Sequence, residues 1–278
     1  MQIVHTDLDN TLIYSYKHEI GGPKTCVEIY QGREISFMTE TSHRLLGQLC
    51  SKPGVLVVPT TTRTLEQYQR IDLGIGVPEY ALVCNGGVLL HQGKEDPVWY
   101  QESLALIADA QSELQRAEQW MTEDVNRCFE VRNIRSLFLF TKSNEPEKSV
   151  AMLKAHLNLS LVEVFCNGIK VYVLPKKLNK GSAVRRFRKR VAAETVYAAG
   201  DSAFDVPMIQ AADIGMAPKE LLEQYELPQT GNFKEKTENK IQNEEKKIFY
   251  QFIHLGGFIH NDIAIELSAL RIIRNIFF

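Results

Sequence analysis

Short apolar runs bounded by turn residues alternate along this chain with stretches whose apolar residues recur every three or four positions. A short run that is apolar at successive positions suits a strand buried on both faces. Its alternation with helical periodicity predicts an α/β fold built on a parallel sheet. The predicted strands are 2–6, 55–60, 81–84, 195–199 and 214–217, with helices at 41–50, 64–73, 181–193 and 206–212. In a doubly wound, Rossmann-like sheet the 2–6 strand lies beside 195–199, with 55–60 and then 81–84 on its other side. The change of winding direction then falls between the two neighbours 2–6 and 195–199, where such sheets bind ligands.

Between about residues 88 and 175 the pattern changes. Two longer amphipathic helices are expected near 102–121 and 145–156, with strands at 136–141, 160–165 and 169–174. Asn167-Gly168 lies between the last two strands and is a strong hairpin signal. The organisation predicted is a core of residues 1–87 and 176–228, interrupted by an α+β cap domain at 88–175. Residues 20–36 ahead of the first core helix suit a flap hairpin. Residues 229–247 are polar and charged, and an apolar stretch follows. Ile263, Leu267, Leu270, Ile273 and Phe277 recur at helical spacing in it. That tail, 229–278, is expected to be an appendage outside the catalytic fold, its apolar face suited to packing on the core or to self-association.

Composition narrows the class. The 278 residues are 44% hydrophobic and 24% charged with a net charge of −2, values of an ordinary globular chain without the basic excess of a nucleic-acid binder. The five cysteines form no CxxC pair, so neither a zinc site nor a disulfide framework is indicated, and reduced thiols in a cytoplasmic protein are expected. No signal peptide or membrane-spanning run is read, so no membrane partner is expected. The basic run Arg185–Arg190 is distributed over several faces of its helix and reads as solvated surface.

The chemistry is concentrated at strand ends. Asp7-Leu8-Asp9-Asn10-Thr11-Leu12 follows the first apolar run, and Gly200-Asp201-Ser202-Ala203-Phe204-Asp205 follows the run at 195–199. Carboxylates gathered at two neighbouring strand ends are costly unless a cation neutralises them, which points to a magnesium-dependent phosphate-transfer site. Asp7 is the candidate nucleophile, and Asp9, two residues on, the acid and base. Thr60, Thr61 and Thr62 close another strand; Thr61 is the residue chosen to donate a hydroxyl to a phosphoryl oxygen, the other two being register alternatives. Lys180 opens a helix, suited to an anion. Asp201 would ligate magnesium together with Asp7, and Asp205 directly or through water. Taken singly these residues have bland readings as turn formers, a helix cap and a solvated lysine. Their order along one chain favours the site.

Asp-Leu-Asp-Asn-Thr-Leu, the threonine strand end, Asn179-Lys180-Gly181 and Gly-Asp-Ser-x-x-Asp together resemble the four motifs of the haloacid dehalogenase-like phosphatases. Val83-Cys84-Asn85-Gly86-Gly87 and the place of the insertion resemble the Cof-type class IIB branch, which includes sucrose-phosphate and mannosyl-phosphoglycerate phosphatases and phosphomannomutases. The resemblance covers roughly residues 1–225. It implies that Asp7 is the nucleophile, that Asp9 is the acid/base and ligates magnesium through its backbone, and that Thr61 and Lys180 contact phosphate. Asn10, where the branch usually has glycine, and Thr62, Arg63, Asn85 and Ser202 are neighbouring polar candidates for substrate contact or support. The function expected is hydrolysis of a small phosphorylated metabolite, foremost a sugar phosphate, through an aspartyl-phosphate. The alternatives are a phosphomutase and a phosphate-binding regulator without turnover.

Overall fold

A computed structural model describes residues 1–227 and the backbone of residues 248–252. The first part of the chain comprises β1 (Gln2–Thr6), β2 (Tyr14–Ser15), β3 (Lys24–Tyr30), β4 (Arg33–Thr39), α1 (Glu40–Cys50), β5 (Val55–Pro59), α2 (Leu65–Tyr68), β6 (Tyr80–Val83), β7 (Val88–His91) and β8 (Lys94–Glu95). The middle part has α3 (Pro97–Leu106), α4 (Gln111–Glu123), β9 (Arg132–Ile134), β10 (Phe138–Lys142), α5 (Pro146–His156), β11 (Val162–Asn167) and β12 (Lys170–Pro175). The last part adds α6 (Lys180–Val191), β13 (Thr195–Ala199), α7 (Val206–Ala211), β14 (Ile214–Pro218), α8 (Lys219–Gln224) and β15 (Ile248–Phe252). The chain forms two compact units. One comprises Met1–Gly86, Leu90–Glu95 and the chain from Lys180 onward; the other comprises Gly87–Leu89 and Asp96–Asn179.

The first unit is built on a parallel sheet in the order β15-β14-β13-β1-β5. Within β1, residues Ile3 to Thr6 are buried, as a central strand covered on both faces requires. Register decides what meets at its end. Thr6 is level with Ala199 on one side and Pro59 on the other. Asp7 and Gly200 therefore leave the sheet side by side, with Asp201 one residue beyond.

Three expectations change here. Of residues 81–84, Cys84 begins the turn that follows and the first three belong to β6, which pairs with β7 in a separate sheet. Its link to the threonine strand end is a single parallel bridge, Thr60 to Leu82. The 64–73 helix stops at Tyr68: Thr64 and Gln67 form a capping box, but the chain then turns so that Asp72 N–H donates to Val27 of β3. The third concerns the tail. Residues 248–252 are not an appendage, since β15 pairs in parallel along β14 from Ile214–Ile248 to Pro218–Phe252. Ile-Phe-Tyr-Gln-Phe is rich in strand formers, and pairing covers an otherwise open edge of β14. The helix expected around 263–277 lies outside the described residues.

β3 and β4 form the hairpin expected at 20–36, turning at Gln31-Gly32 with positive φ at both residues. In the second unit an antiparallel sheet in the order β11-β12-β10-β9 has Leu139, Val164, Val171 and Val173 packed with Leu114 and Met121 of α4. The single helix expected at 102–121 is divided. Asp96 caps α3 ahead of Pro97, and a 3₁₀ turn at Ala108–Ala110 separates α3 from α4. The hairpin through Asn167-Gly168 is present, with Asn167 paired to Lys170. Among the described residues, no helix is long and apolar enough to cross a membrane.

Candidate active site

Asp7 caps the buried β1 strand. Its N–H donates to Ala199 at 2.8 Å, so the carboxylate is carried by the sheet itself rather than by a free loop. Only 6% of the residue is exposed. The chain then turns at Asn10, whose φ of 59° and N–H bond to the Ile13 carbonyl make a tight left-handed bend. Asparagine tolerates that backbone where a β-branched residue would be strained.

Lys180, the first residue of α6, reaches the same point from the other side. Its Nζ is 2.5 Å from Asp7 Oδ1 and 2.5 Å from Asp205 Oδ1, with 1% of its side chain exposed. Close packing makes this reach possible. A Cβ on Gly181 would stand 2.1 Å from the Pro207 carbonyl oxygen, so only glycine lets α6 lie this near the start of α7. A Cβ on Gly200 would likewise strike the Asp205 side chain, at 2.2 Å.

Asp205 organises the second acidic loop. Its Oδ2 accepts from the backbone N–H groups of Asp201 and Ser202 at 3.1 and 3.0 Å and from the Ser202 hydroxyl at 2.8 Å. The Thr11 hydroxyl donates to Asp201 Oδ1 at 3.2 Å, tying the two motifs together. Thr11 was missed by sequence reasoning, although it stands inside the first motif.

The electrostatics are unbalanced. Burial pushes the Asp7 carboxyl well above the usual carboxylate range; Lys180 opposes this, while Asp205, Asp201 and Asp9 add to it. Asp201 is pushed up to about 7 by burial and by the charge of Asp205. Burial works against the Lys180 ammonium, but Asp205 and Asp7 outweigh it and raise its pKa above the ordinary lysine value. One lysine thus faces three carboxylates, with negative charge left over.

That donor set fits a hard divalent cation. Asp7, Asp201 and Asp205 each bring a carboxylate oxygen within 4.8 Å of the others. Both oxygens of Asp205 already accept hydrogen bonds, from Lys180 and from the Asp201 N–H. The Asp9 carboxylate is not part of that trio. Arg63 donates to it through Nε at 2.8 Å and through Nη2 at 2.7 Å, a two-pronged pair.

Arg63 also donates through Nη1 to Glu28 at 2.9 Å. Burial lowers the Arg63 pKa, but Asp9 and Glu28 more than reverse this, so its charge is secured. Glu28 has no mark in the sequence: it lies on a hairpin strand, far from either acidic motif. Of the threonines, Thr60 is turned to His5, its Oγ1 2.9 Å from His5 Nδ1, and donates to the Val58 carbonyl. Thr61 is fully buried and its Oγ1 accepts from Arg63 N–H at 3.1 Å, leaving its own proton to donate. Thr62 is partly buried. Asn85, 2% exposed with φ of 58°, donates its N–H to the Thr61 carbonyl at 3.0 Å. The structure therefore brings Asp7, Lys180, Asp201, Asp205 and Ser202 into one cluster, and Asp9 with Arg63 into another beside it in sequence.

Residues 93–220 match the model of a family described as haloacid dehalogenase-like hydrolase. Among solved structures, the sucrose-phosphatase of Synechocystis sp. PCC6803, in complex with sucrose and phosphate, aligns over 82% of this chain and 87% of its own, at 18% identity and a TM-score of 0.50. A haloacid dehalogenase-like hydrolase from B. subtilis aligns over 81% of this chain and 92% of its own, at 17% identity and a TM-score of 0.51. At such identities the likeness is one of fold. No curated protein matches the sequence.

Proposed function

We propose that this chain, whose residues 93–220 match a haloacid dehalogenase-like hydrolase family, is a member of that family and a magnesium-dependent phosphomonoesterase of small phosphorylated metabolites. The observation that carries this reading is the buried lysine clamped between Asp7 and Asp205, with Asp201 alongside. A nucleophilic carboxylate is useful against a phosphate ester only if its charge and that of the phosphoryl oxygens are offset. The lysine supplies part of that offset. Magnesium held by Asp7, Asp201 and the Asp9 carbonyl, with Asp205 acting through water, would supply the rest.

In the first step an Asp7 oxygen attacks phosphorus and the ester P–O bond breaks, giving an aspartyl-phosphate. The leaving alkoxide takes a proton from Asp9. In the second step Asp9 takes a proton from water, which attacks phosphorus and breaks the bond to Asp7. The Thr61 hydroxyl and Lys180 bind phosphoryl oxygens. Ser202 and Asp205 hold the second loop in place through their mutual hydrogen bonds.

A phosphorylated sugar is the first substrate class to test, because the fold is shared with a sucrose-phosphatase. The test is phosphate release from a panel of sugar phosphates, nucleotides and phosphorylated cofactors, with magnesium and with chelator. Metal-dependent release that Asp7→Asn abolishes supports the reading. Undiminished release in chelator, or by the Asp7 variant, overturns it. Return of phosphate to a sugar bisphosphate, in place of release, would identify a mutase.

A further inference from the structure

Glu28 is a carboxylate in an unexpected place. It lies in β3 of the flap hairpin, its side chain is fully buried, and the pairing of β3 with β4 shifts register on both sides of it. Bulges of this kind re-aim a side chain. Without the shift, Val27 and Glu28 would face opposite ways; with it, both are buried. An isolated buried carboxylate is strongly unfavourable, so its partners matter. Oε2 accepts from Arg63 Nη1 at 2.9 Å and from the Ser36 hydroxyl at 2.7 Å, and Oε1 accepts from Arg70 Nε at 3.1 Å. Backbone bonds secure the arrangement: Glu28 bridges to Ile71, and Asp72 N–H donates to Val27.

The geometry points to a positioning relay for Asp9: Glu28 orients the Arg63 guanidinium, and Arg63 orients the Asp9 carboxylate. We infer this because the guanidinium is planar and its donors form a rigid fork. Nη1 held by Glu28 fixes the plane in which Nε and Nη2 meet both oxygens of Asp9. About half of the Asp9 side chain, 49%, is exposed, so packing constrains it less than it would a buried carboxylate, and the Arg63 pair carries more of its orientation. Proton transfer to a leaving group requires a carboxyl oxygen in hydrogen-bond reach at a defined place. The guanidinium of Arg63 spends its hydrogen bonds on Asp9 and Glu28 rather than on Asp7, so Glu28 and Arg63 are positioning residues. The relay rests on the phosphatase reading above.

The experiment separates proton delivery from general damage. kcat/KM, which reports the first chemical step, is measured with magnesium for an alkyl phosphate and for 2,4-dinitrophenyl phosphate, whose leaving group needs no proton. The variants are Arg63→Lys, which keeps the charge and loses the fork, and Glu28→Gln, which keeps the shape and loses the charge. We expect each to lower kcat/KM on the alkyl ester by about 10- to 100-fold, while the aryl ester falls by no more than about threefold. Equal losses on both esters, or no loss on either, overturn the relay. If Glu28→Gln does not fold, Glu28→Asp shortens the side chain by one methylene and is expected to give the same split.

A second readout does not need turnover. Exchange of the Arg63 Nε proton, followed by NMR, should be slow in the intact protein and fast in Glu28→Gln or its Asp replacement. Unchanged exchange would show that Glu28 does not hold Arg63, and would overturn the relay even if rates fell. Failure of the unaltered protein to release phosphate from either ester would instead overturn the phosphatase reading, and the relay with it.

Discussion

Lys180 cannot be accounted for by packing alone. Its ammonium lies in a site 1% exposed and donates its hydrogen bonds to two carboxylates, so removing it takes away the cation that both of them face. Lys180→Ala is expected to cost about 3–5 kcal/mol of stability by denaturant unfolding, the range for breaking a buried pair. It should also weaken binding of a phosphate analogue more than Lys180→Arg does. Asp7→Asn should behave in the opposite sense. The amide is a poor nucleophile, so turnover is lost, yet the substitution removes one of three crowded negative charges. Its melting temperature in chelator should equal or exceed that of the unaltered protein; a clear fall would mean that the lost Lys180–Asp7 ion pair outweighs the relieved repulsion among the carboxylates. Asp9→Asn should slow turnover by on the order of 10²–10⁴-fold and leave phosphate-analogue binding intact. The acidic pairs, the threonines and Lys180 were legible as candidates because their residue types are chemically unusual at strand ends. Glu28 was not, because a glutamate in a hairpin strand is ordinarily solvated surface.

At the scale of elements, helix periodicity was readable and helix ends were less so. Residues 102–121 look like one helix by pattern, yet the chain breaks at Ala108–Ala110, and Asp96-Pro97 opens the first piece earlier than the apolar pattern suggests. Periodicity records which face is apolar, and two helices separated by one 3₁₀ turn can keep that record. The 64–73 segment stops short because its downstream backbone bonds to β3, a contact no local pattern encodes. The approach of α6 to α7 is equally invisible until the two are placed together. Gly181→Ala would force its new methyl against the Pro207 carbonyl, and should destabilise by about 1–3 kcal/mol as an overpacking change. Because Lys180 precedes it, activity should fall further than stability. Retention of both would mean that the helices can separate without cost.

For the whole molecule, the unbalanced charge of the site makes metal binding a contribution to stability. If magnesium binds the native state alone, a concentration of 100 times its Kd should stabilise the fold by about 2.7 kcal/mol, and thermal melts would record the rise. Asp201→Asn should abolish most of that shift, whereas a substitution on the solvated face of α6, such as Arg185→Gln, should leave it unchanged. The position of β15 alters what truncation should do. Ending the chain after Leu227 removes the strand paired to β14 and opens that edge, so lower stability and self-association are expected, while the motifs themselves are untouched. An unchanged melting temperature would show that β15 contributes nothing to the core sheet.

The sequence by itself determined the α/β class and the strands at 2–6 and 195–199, and it marked the acidic and basic residues at strand ends as candidates for a site. These follow from local properties: hydrophobic period, turn residues, and side chains whose chemistry is costly to place at a strand end without purpose. Tertiary structure alone decided that Thr6 stands level with Ala199, that β6 leaves the main sheet, that β15 joins it, and that Glu28 reaches Arg63 across 35 positions of sequence. Each is a pairing between distant segments. Such pairings depend on register and packing summed over the whole core, and no local stretch of sequence carries that sum.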